Sequence, residues 1–356
     1  MSVLQIRRVV ERWSWSGWGV LSDRLGRSAR FWGLAALSLL IAPPIWAEDE
    51  SESSAPAATR TPLRLMLAWQ PQAQFAGYYV AQAHGFYREA GIEASLLSMG
   101  HARSPRAALE TGEVDLAVLW LSTAIEARAE GVPLVNVAQL FQRSSVVLIA
   151  RSSSNVHRLS DINGRRVGVW RNDPALPIEA LLRTRGLEVK RVPQSQTVNL
   201  FLRGGVEAMS GMLYNEYHLL INAGLEPEAL TVFRLSEYGI DFPEDGLYAL
   251  EQTQREKSAA ITAFVAATRR GWEQAFADPE GALDLVLQHQ RAARVPANRI
   301  HQRWMLEQIH AVMGDPGEHG WDWRLHPEDV DRVGEALQHL EMIDAMPTDI
   351  ERLGVQ

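Results

Sequence analysis

From about Pro62 onward, apolar positions recur in two rhythms, a period of two in short runs and one near 3.6 in longer runs. Residues 63–68 (LRLMLA) alternate as a strand does, and 75–89 carry the apolar stripe of a helix. Gly91 ends that helix, and a strand over 92–97 follows. A helix over 104–111 stops at Gly112, after which 114–120 (VDLAVLW) is a near-continuous apolar strand suited to burial on both faces. A helix over 122–130 and strands over 134–140 and 146–150 complete this set. The rhythm then restarts with a strand over 166–170 and a helix capped by Asp173-Pro174, where a missing N–H costs nothing. Segments 187–192, 197–203 and 208–213 continue the alternation. Residues 247–340 are mostly helical in pattern (257–276, 279–288, 300–312, 327–340), and some of these helices should return to the first lobe. No internal sequence repeat is visible.

Strand-helix alternation that runs twice predicts an α/β protein of two lobes, each an open, mainly parallel sheet flanked by helices, with a helical C-terminal region. Ligands in such sheets sit at the carboxyl ends of the strands. That rule points to four segments, 69–75, 120–123, 170–173 and 213–216, each of which follows a strand.

The region before Pro62 has a different character. A basic stretch ends at Arg30, an apolar run covers 31–42, and Ile45-Trp46-Ala47 precedes Glu48-Asp49-Glu50. This order reads as a secretory leader over 1–47 cut after Ala47, since the apolar run is too short for the roughly 20 residues a bilayer demands. Residues 48–61 are acidic, small and Pro-containing, a flexible linker. The first 47 residues carry a net +4 of a total of -8, so the remainder is acidic, a poor surface for nucleic acid. The expected location is the periplasm. With no cysteine, the chain has no disulfide, thiolate metal site or lipid-modified Cys. The histidines show no metal-ligand spacing, and no nucleophile or phosphate-binding motif occurs. A monomer without catalytic residues, metal or cofactor is the expectation.

The most specific stretch runs from Trp69-Gln70-Pro71-Gln72-Ala73-Gln74-Phe75-Ala76-Gly77-Tyr78 to Gly85-Phe86-Tyr87-Arg88-Glu89-Ala90-Gly91-Ile92. Aromatics and glutamines at a strand end suit the face and the polar edge of a heterocycle. Together with Gly112-Glu113-Val114-Asp115-Leu116-Ala117 and the segment 159–169, this stretch resembles the thiamine-pyrimidine family of periplasmic binding proteins. That family holds formylaminopyrimidine-binding proteins and pyrimidine synthases. The resemblance covers about 62–280 and implies the type II periplasmic-binding-protein fold. Lobe one would span 62–152 and about 240–345, and lobe two 153–239.

Four departures qualify the resemblance. Gln72 stands for the family's Asn and Phe75 for its His, while Leu119 and Thr123 occupy the positions of the synthase branch's cofactor-binding Lys and donor His. Synthase chemistry is therefore excluded at those positions. The resemblance implies a solute-binding protein of an ABC importer, closing by a hinge on a small heterocycle and docking on a permease. Ligand-binding residues are expected at Trp69, Gln72, Phe75, Tyr78, Trp120, Trp170, Asn172, Tyr214, Asn215, Glu216 and Asp241. Glu216 would accept N–H bonds, Tyr214 would stack, and Asp241 would lie where the chain crosses back. The alternatives are a receptor feeding a membrane histidine kinase or cyclase, and a receptor for sulfonate, nitrate or taurine.

Overall fold

The computed structural model describes residues 60–99, 104–171, 174–314, 316–317 and 320–354. The expected leader with its cut after Ala47, the linker up to residue 59, and Asn172 and Asp173 lie outside the described residues. The first strands are β1 (Thr61–Leu67), β2 (Ile92–Ser98), β3 (Leu116–Leu119) and β4 (Leu134–Phe141). Then come β5 (Val146–Arg151), β6 (Arg166–Val169), β7 (Lys190–Pro193), β8 (Ala208–Met212), β9 (Leu230–Arg234) and finally β10 (Glu244–Leu250). They build two five-stranded sheets, ordered β2-β1-β3-β10-β4 and β7-β6-β8-β5-β9.

Each sheet is mixed rather than purely parallel. β1, β2 and β3 run parallel, as do β6, β7 and β8. The reversed strand is β10 in one sheet and β5 in the other, each antiparallel to both its neighbours. These are the two strands on which the chain arrives after crossing between lobes. A strand fed directly from the far lobe enters from the cleft side and so must run against the strands that end there.

The two sheets also share a local device that the sequence did not reveal as a repeat. Arg64 at the start of β1 donates its backbone N–H to Asp115 Oδ2 at 2.8 Å and its guanidinium to the Gly112 carbonyl at 3.1 Å. Arg166 at the start of β6 does the same to Glu207 Oε2 at 2.9 Å and the Gly204 carbonyl at 3.3 Å. Gly112-Glu113-Val114-Asp115 and Gly204-Gly205-Val206-Glu207 are thus one four-residue motif used twice. Only the interaction with a distant arginine makes the match visible.

The helices are α1 (Ala76–Ala83), α2 (Phe86–Glu89), α3 (Pro105–Glu110), α4 (Leu121–Ala129), α5 (Ala175–Thr184), α6 (Asn199–Leu202) and α7 (His218–Asn222). The C-terminal set is α8 (Glu251–Glu256), α9 (Ser258–Ala277), α10 (Pro279–Ala292), α11 (Arg299–Met313) and α12 (Pro327–His339). The single helix expected over 75–89 is broken. A 3-10 turn (Ala73–Phe75) leads into α1, and Gly85, at φ 79°, separates α1 from α2. That left-handed conformation is one a glycine adopts without steric cost.

α9 returns to the first sheet and packs on α1. A Cβ on Gly77 would lie 2.3 Å from the Trp272 ring, and one on Gly271 would lie 2.1 Å from the Gly77 carbonyl oxygen. Trp272 is fully buried and meets Tyr78 and Phe141 edge-on, so its ring has nowhere to move. Gly77→Ala should therefore destabilise by about 1–3 kcal/mol through overpacking. Gly112→Ala, where a Cβ meets nothing within 4 Å, carries only the strain of its positive φ. Urea denaturation of the two variants checks this order, and equal loss would contradict it.

Candidate functional site

Trp69 follows β1 and Trp170 follows β6, and their rings meet edge to face with centroids 5.9 Å apart. One residue from each sheet in contact means that the carboxyl ends of the two parallel strand sets face one another. Both rings stay partly exposed, so an aromatic edge and face remain available between the lobes.

On the first-lobe side, the loop after Trp69 is knitted by amides. Gln72 Nε2 donates to Gln74 Oε1 at 2.5 Å, and Gln74 Nε2 donates to Asp245 Oδ2 at 2.5 Å. The Ala73 backbone N–H donates to Gln302 Oε1 of α11 at 2.7 Å. Asp245 sits on β10 at φ 38° while almost wholly buried, a strained conformation that the chain keeps with a carboxylate in the interior. Tyr78 is buried, and its hydroxyl has no hydrogen-bond partner among the described residues. Burial, with Tyr87 and Asp245 nearby, holds that phenol well above its ordinary pKa. Trp120 follows β3 and is almost covered, and the Ser122 and Thr123 hydroxyls in the first turn of α4 are buried and without a hydrogen-bond partner among the described residues. Phe75 is completely buried in the hydrophobic core, which is the physical reason an apolar ring stands there.

On the second-lobe side, β8 runs into a single π-helical turn, Leu213–Tyr217. Such turns are rare and favour functional sites. This one turns the Glu216 carboxylate inward, where Oε2 accepts the Met212 N–H at 2.7 Å and Oε1 accepts Asn215 Nδ2 at 2.8 Å. Each carboxylate oxygen has a second lone pair, so both can accept a further N–H. Burial raises the Glu216 pKa to about 7 against the pull of those donors. Tyr214 is buried, and its phenol is raised by burial first and then by Glu244, Asp245 and Glu216, which places three carboxylates within electrostatic reach of one ring. At the neighbouring strand end, Ser210 Oγ accepts the Trp170 N–H at 3.1 Å.

The two crossing segments are tied by acids. Glu244, with no exposed surface, accepts Ser145 N–H at 2.7 Å, Ser145 Oγ at 2.8 Å and Ser144 Oγ at 3.0 Å, and burial lifts its pKa to about 8. Asp241 accepts the Ser144 N–H at 2.7 Å, so it braces the crossing. Trp69, Gln72, Tyr78, Trp170, Tyr214 and Glu216 thus gather with their neighbours around the strand ends. Phe75 belongs to the core and Asp241 to the crossing. Asp245, Gln74 and Ser122 were missed: the acid of the return strand was sought at Asp241, four residues too early. Among the described residues, no group of three or more His, Cys, Asp or Glu is arranged to hold a metal.

A family model described as NMT1/THI5 like matches residues 72–282, more than half of the chain. The chain belongs to the NMT1/THI5-like family. A formylaminopyrimidine-binding protein of Halalkalibacterium halodurans is 24% identical over 73% of this chain and 80% of its own. The riboflavin-binding protein RibY of Chloroflexus aurantiacus is 29% identical over 66% and 70%. Proteins named as 4-amino-5-hydroxymethyl-2-methylpyrimidine phosphate synthases also match. The periplasmic aliphatic sulphonate-binding protein SsuA of Escherichia coli superposes with a TM-score of 0.63, at 16% identity, over 82% of this chain and 97% of its own. Its likeness shows the periplasmic-binding-protein fold, which is consistent with substrate binding for an ABC transporter. Leu119 and Thr123, set against the synthase branch's Lys and His on the sequence resemblance alone, are both buried.

The Glu216 carboxyl yields a stability prediction. Its pKa in the fold is raised to about 7 from 4.5, so between those values the folded protein holds more protons than the unfolded chain. The contribution is therefore favourable at low pH and is lost as pH rises through that window. The stability difference between the parent and Glu216→Gln should shift against the parent by up to about 1.4 kcal/mol per pH unit there. Urea melts at pH 5 and pH 7 measure it, and a constant difference would contradict the raised value.

Proposed function

We propose that this NMT1/THI5-like protein is the periplasmic solute-binding component of an ABC importer, and that its cargo is a small nitrogen heterocycle rich in N–H donors, a thiamine pyrimidine precursor or a related compound. The observation that carries the reading is the polarity of the strand-end cluster. Glu216, Asp245 and the amide oxygens of the Gln72–Gln74 chain are hydrogen-bond acceptors, and Trp69 and Trp170 supply flat apolar surface beside them. Acceptors of this kind suit amino groups and protonated ring nitrogens, where charge-assisted bonds orient the ligand. They suit a sulfonate or nitrate poorly, since such an anion brings acceptor oxygens and no N–H donor.

Ligand would enter between Trp69 and Trp170 and draw the lobes together about the crossing segments, the hinge closure typical of this architecture. The closed form would dock on a membrane permease. Names of relatives support the cargo class from two sides, one a formylaminopyrimidine binder and the other a riboflavin binder. Both ligands are nitrogen heterocycles.

Isothermal titration of the chain from residue 62 against 4-amino-5-hydroxymethyl-2-methylpyrimidine, its formylamino precursor, riboflavin and an alkanesulfonate tests the proposal. Saturable heat with one or more of the heterocycles and none with the sulfonate is expected. Asp245→Asn should weaken that binding roughly tenfold or more, the worth of one charge-assisted hydrogen bond. Binding of the sulfonate alone would overturn the cargo assignment.

A further inference from the structure

α11 reaches both halves of the strand-end cluster through two consecutive residues. Gln302 accepts the Ala73 N–H of the first-lobe loop at 2.7 Å, while His301 Nε2 lies 3.0 Å from Asn215 Oδ1 of the second-lobe π-turn. His301 Nδ1 is also 3.0 Å from Nδ1 of His218, at the start of α7 in the second lobe. The His218 ring lies nearly parallel to the rings of His301 and Trp304, with centroids 5.3 and 5.1 Å away. Trp304 Nε1 donates to the Leu213 carbonyl at 3.2 Å. The helix packs on α10, on β4 and on the Ala73–Phe75 turn beside the first sheet, and equally on the π-turn and α7 beside the second.

The hydrogen-bond roles along this chain follow from one fixed end. Asn215 Nδ2 donates to Glu216 Oε1, so Asn215 Oδ1 faces His301 and can only accept. His301 must then carry its proton on Nε2, which leaves its Nδ1 unprotonated in the neutral ring, while His218 Nδ1 lies within reach of both that nitrogen and Asn222 Nδ2, the latter at 3.2 Å. Burial and the neighbouring His218 hold the His301 pKa down at about 4, so the ring is neutral near pH 7. The side chains form one connected relay, His218 to His301 to Asn215 to Glu216, directed from His301 onward.

We propose that His301 is a positioning residue: it clasps the second lobe to α11 and holds the Glu216 turn in register with the Gln72–Gln74 loop, so that the cleft opens only when this relay breaks. The proposal rests on Glu216 being part of the ligand site, but the clasp itself can be tested without any ligand.

The absence of native cysteine allows spin labels at Arg88→Cys in the first lobe and Lys190→Cys in the second, both exposed. Electron–electron distance measurement on the doubly labelled protein, with no ligand added, should give one narrow distribution. His301→Leu should broaden it or add a second population, and His301→Gln, which keeps a donor for Asn215, should restore the parent distribution. If His301→Leu fails to fold, His218→Phe removes the inter-ring bond from the other lobe and should broaden the distribution in the same way. Imidazole ¹⁵N shifts at pH 7 should report His301 protonated on Nε2. Identical distributions in parent and folded variant, or a His301 proton on Nδ1, would overturn the clasp. Broadening with no heterocycle bound in the titrations would leave the clasp standing and remove the cargo reading instead.

Discussion

The arrangement hangs on a buried carboxylate at the place where the chain changes lobes. Glu244 gathers Ser144 and Ser145 of the outgoing segment onto the first residue of the returning strand. Because β10 starts there, it must run against β3 and β4, and the next residue, Asp245, is delivered to the strand ends with its backbone in the left-handed region. Burying Glu244 is costly, and burial raises its pKa to about 8. Three hydrogen bonds offset part of it and fix the two crossings as a pair. The crossing, the reversed strand and the acceptor-rich cluster are consequences of one local knot.

A second constraint is steric. α1 and α9 approach so closely that glycine is required on both faces, and Trp272 fills the space beside them. This contact joins the motif-bearing start of the fold to its C-terminal helices and holds the Gln72–Gln74 loop above a rigid support. α11 completes the support by accepting the Ala73 N–H. Loop residues that would be mobile on their own are thereby preorganised, which reduces the ordering cost of binding.

Much of this was legible from the order of residues, because burial and strand-end position leave a strong periodic trace. Trp69, Trp120 and the Tyr214-Asn215-Glu216 turn all follow the carboxyl end of a strand, as expected. What stayed hidden depends on contacts distant in sequence. Asp245 looks like an ordinary loop acid beside Pro243 until Gln74, 171 residues away, is seen to donate to it. The Gly-x-Val-acid repeat is too short to notice without Arg64 and Arg166. Phe75 was read as a ligand contact because it replaces a family histidine, yet the same substitution is what core packing demands. Antiparallel β5 and β10 were missed because alternation encodes burial, and strand direction is set by where the chain comes from.

The central claim is that a nitrogen heterocycle lies between Trp69 and Trp170 with its donors on Asp245 and Glu216. Crystallography of the protein grown with 4-amino-5-hydroxymethyl-2-methylpyrimidine tests it most directly. The account predicts ring density against the tryptophan pair, with an exocyclic nitrogen within hydrogen-bond distance of a carboxylate of Asp245 or Glu216. A ring bound elsewhere, or one held with its nitrogens turned away from both carboxylates, would contradict it.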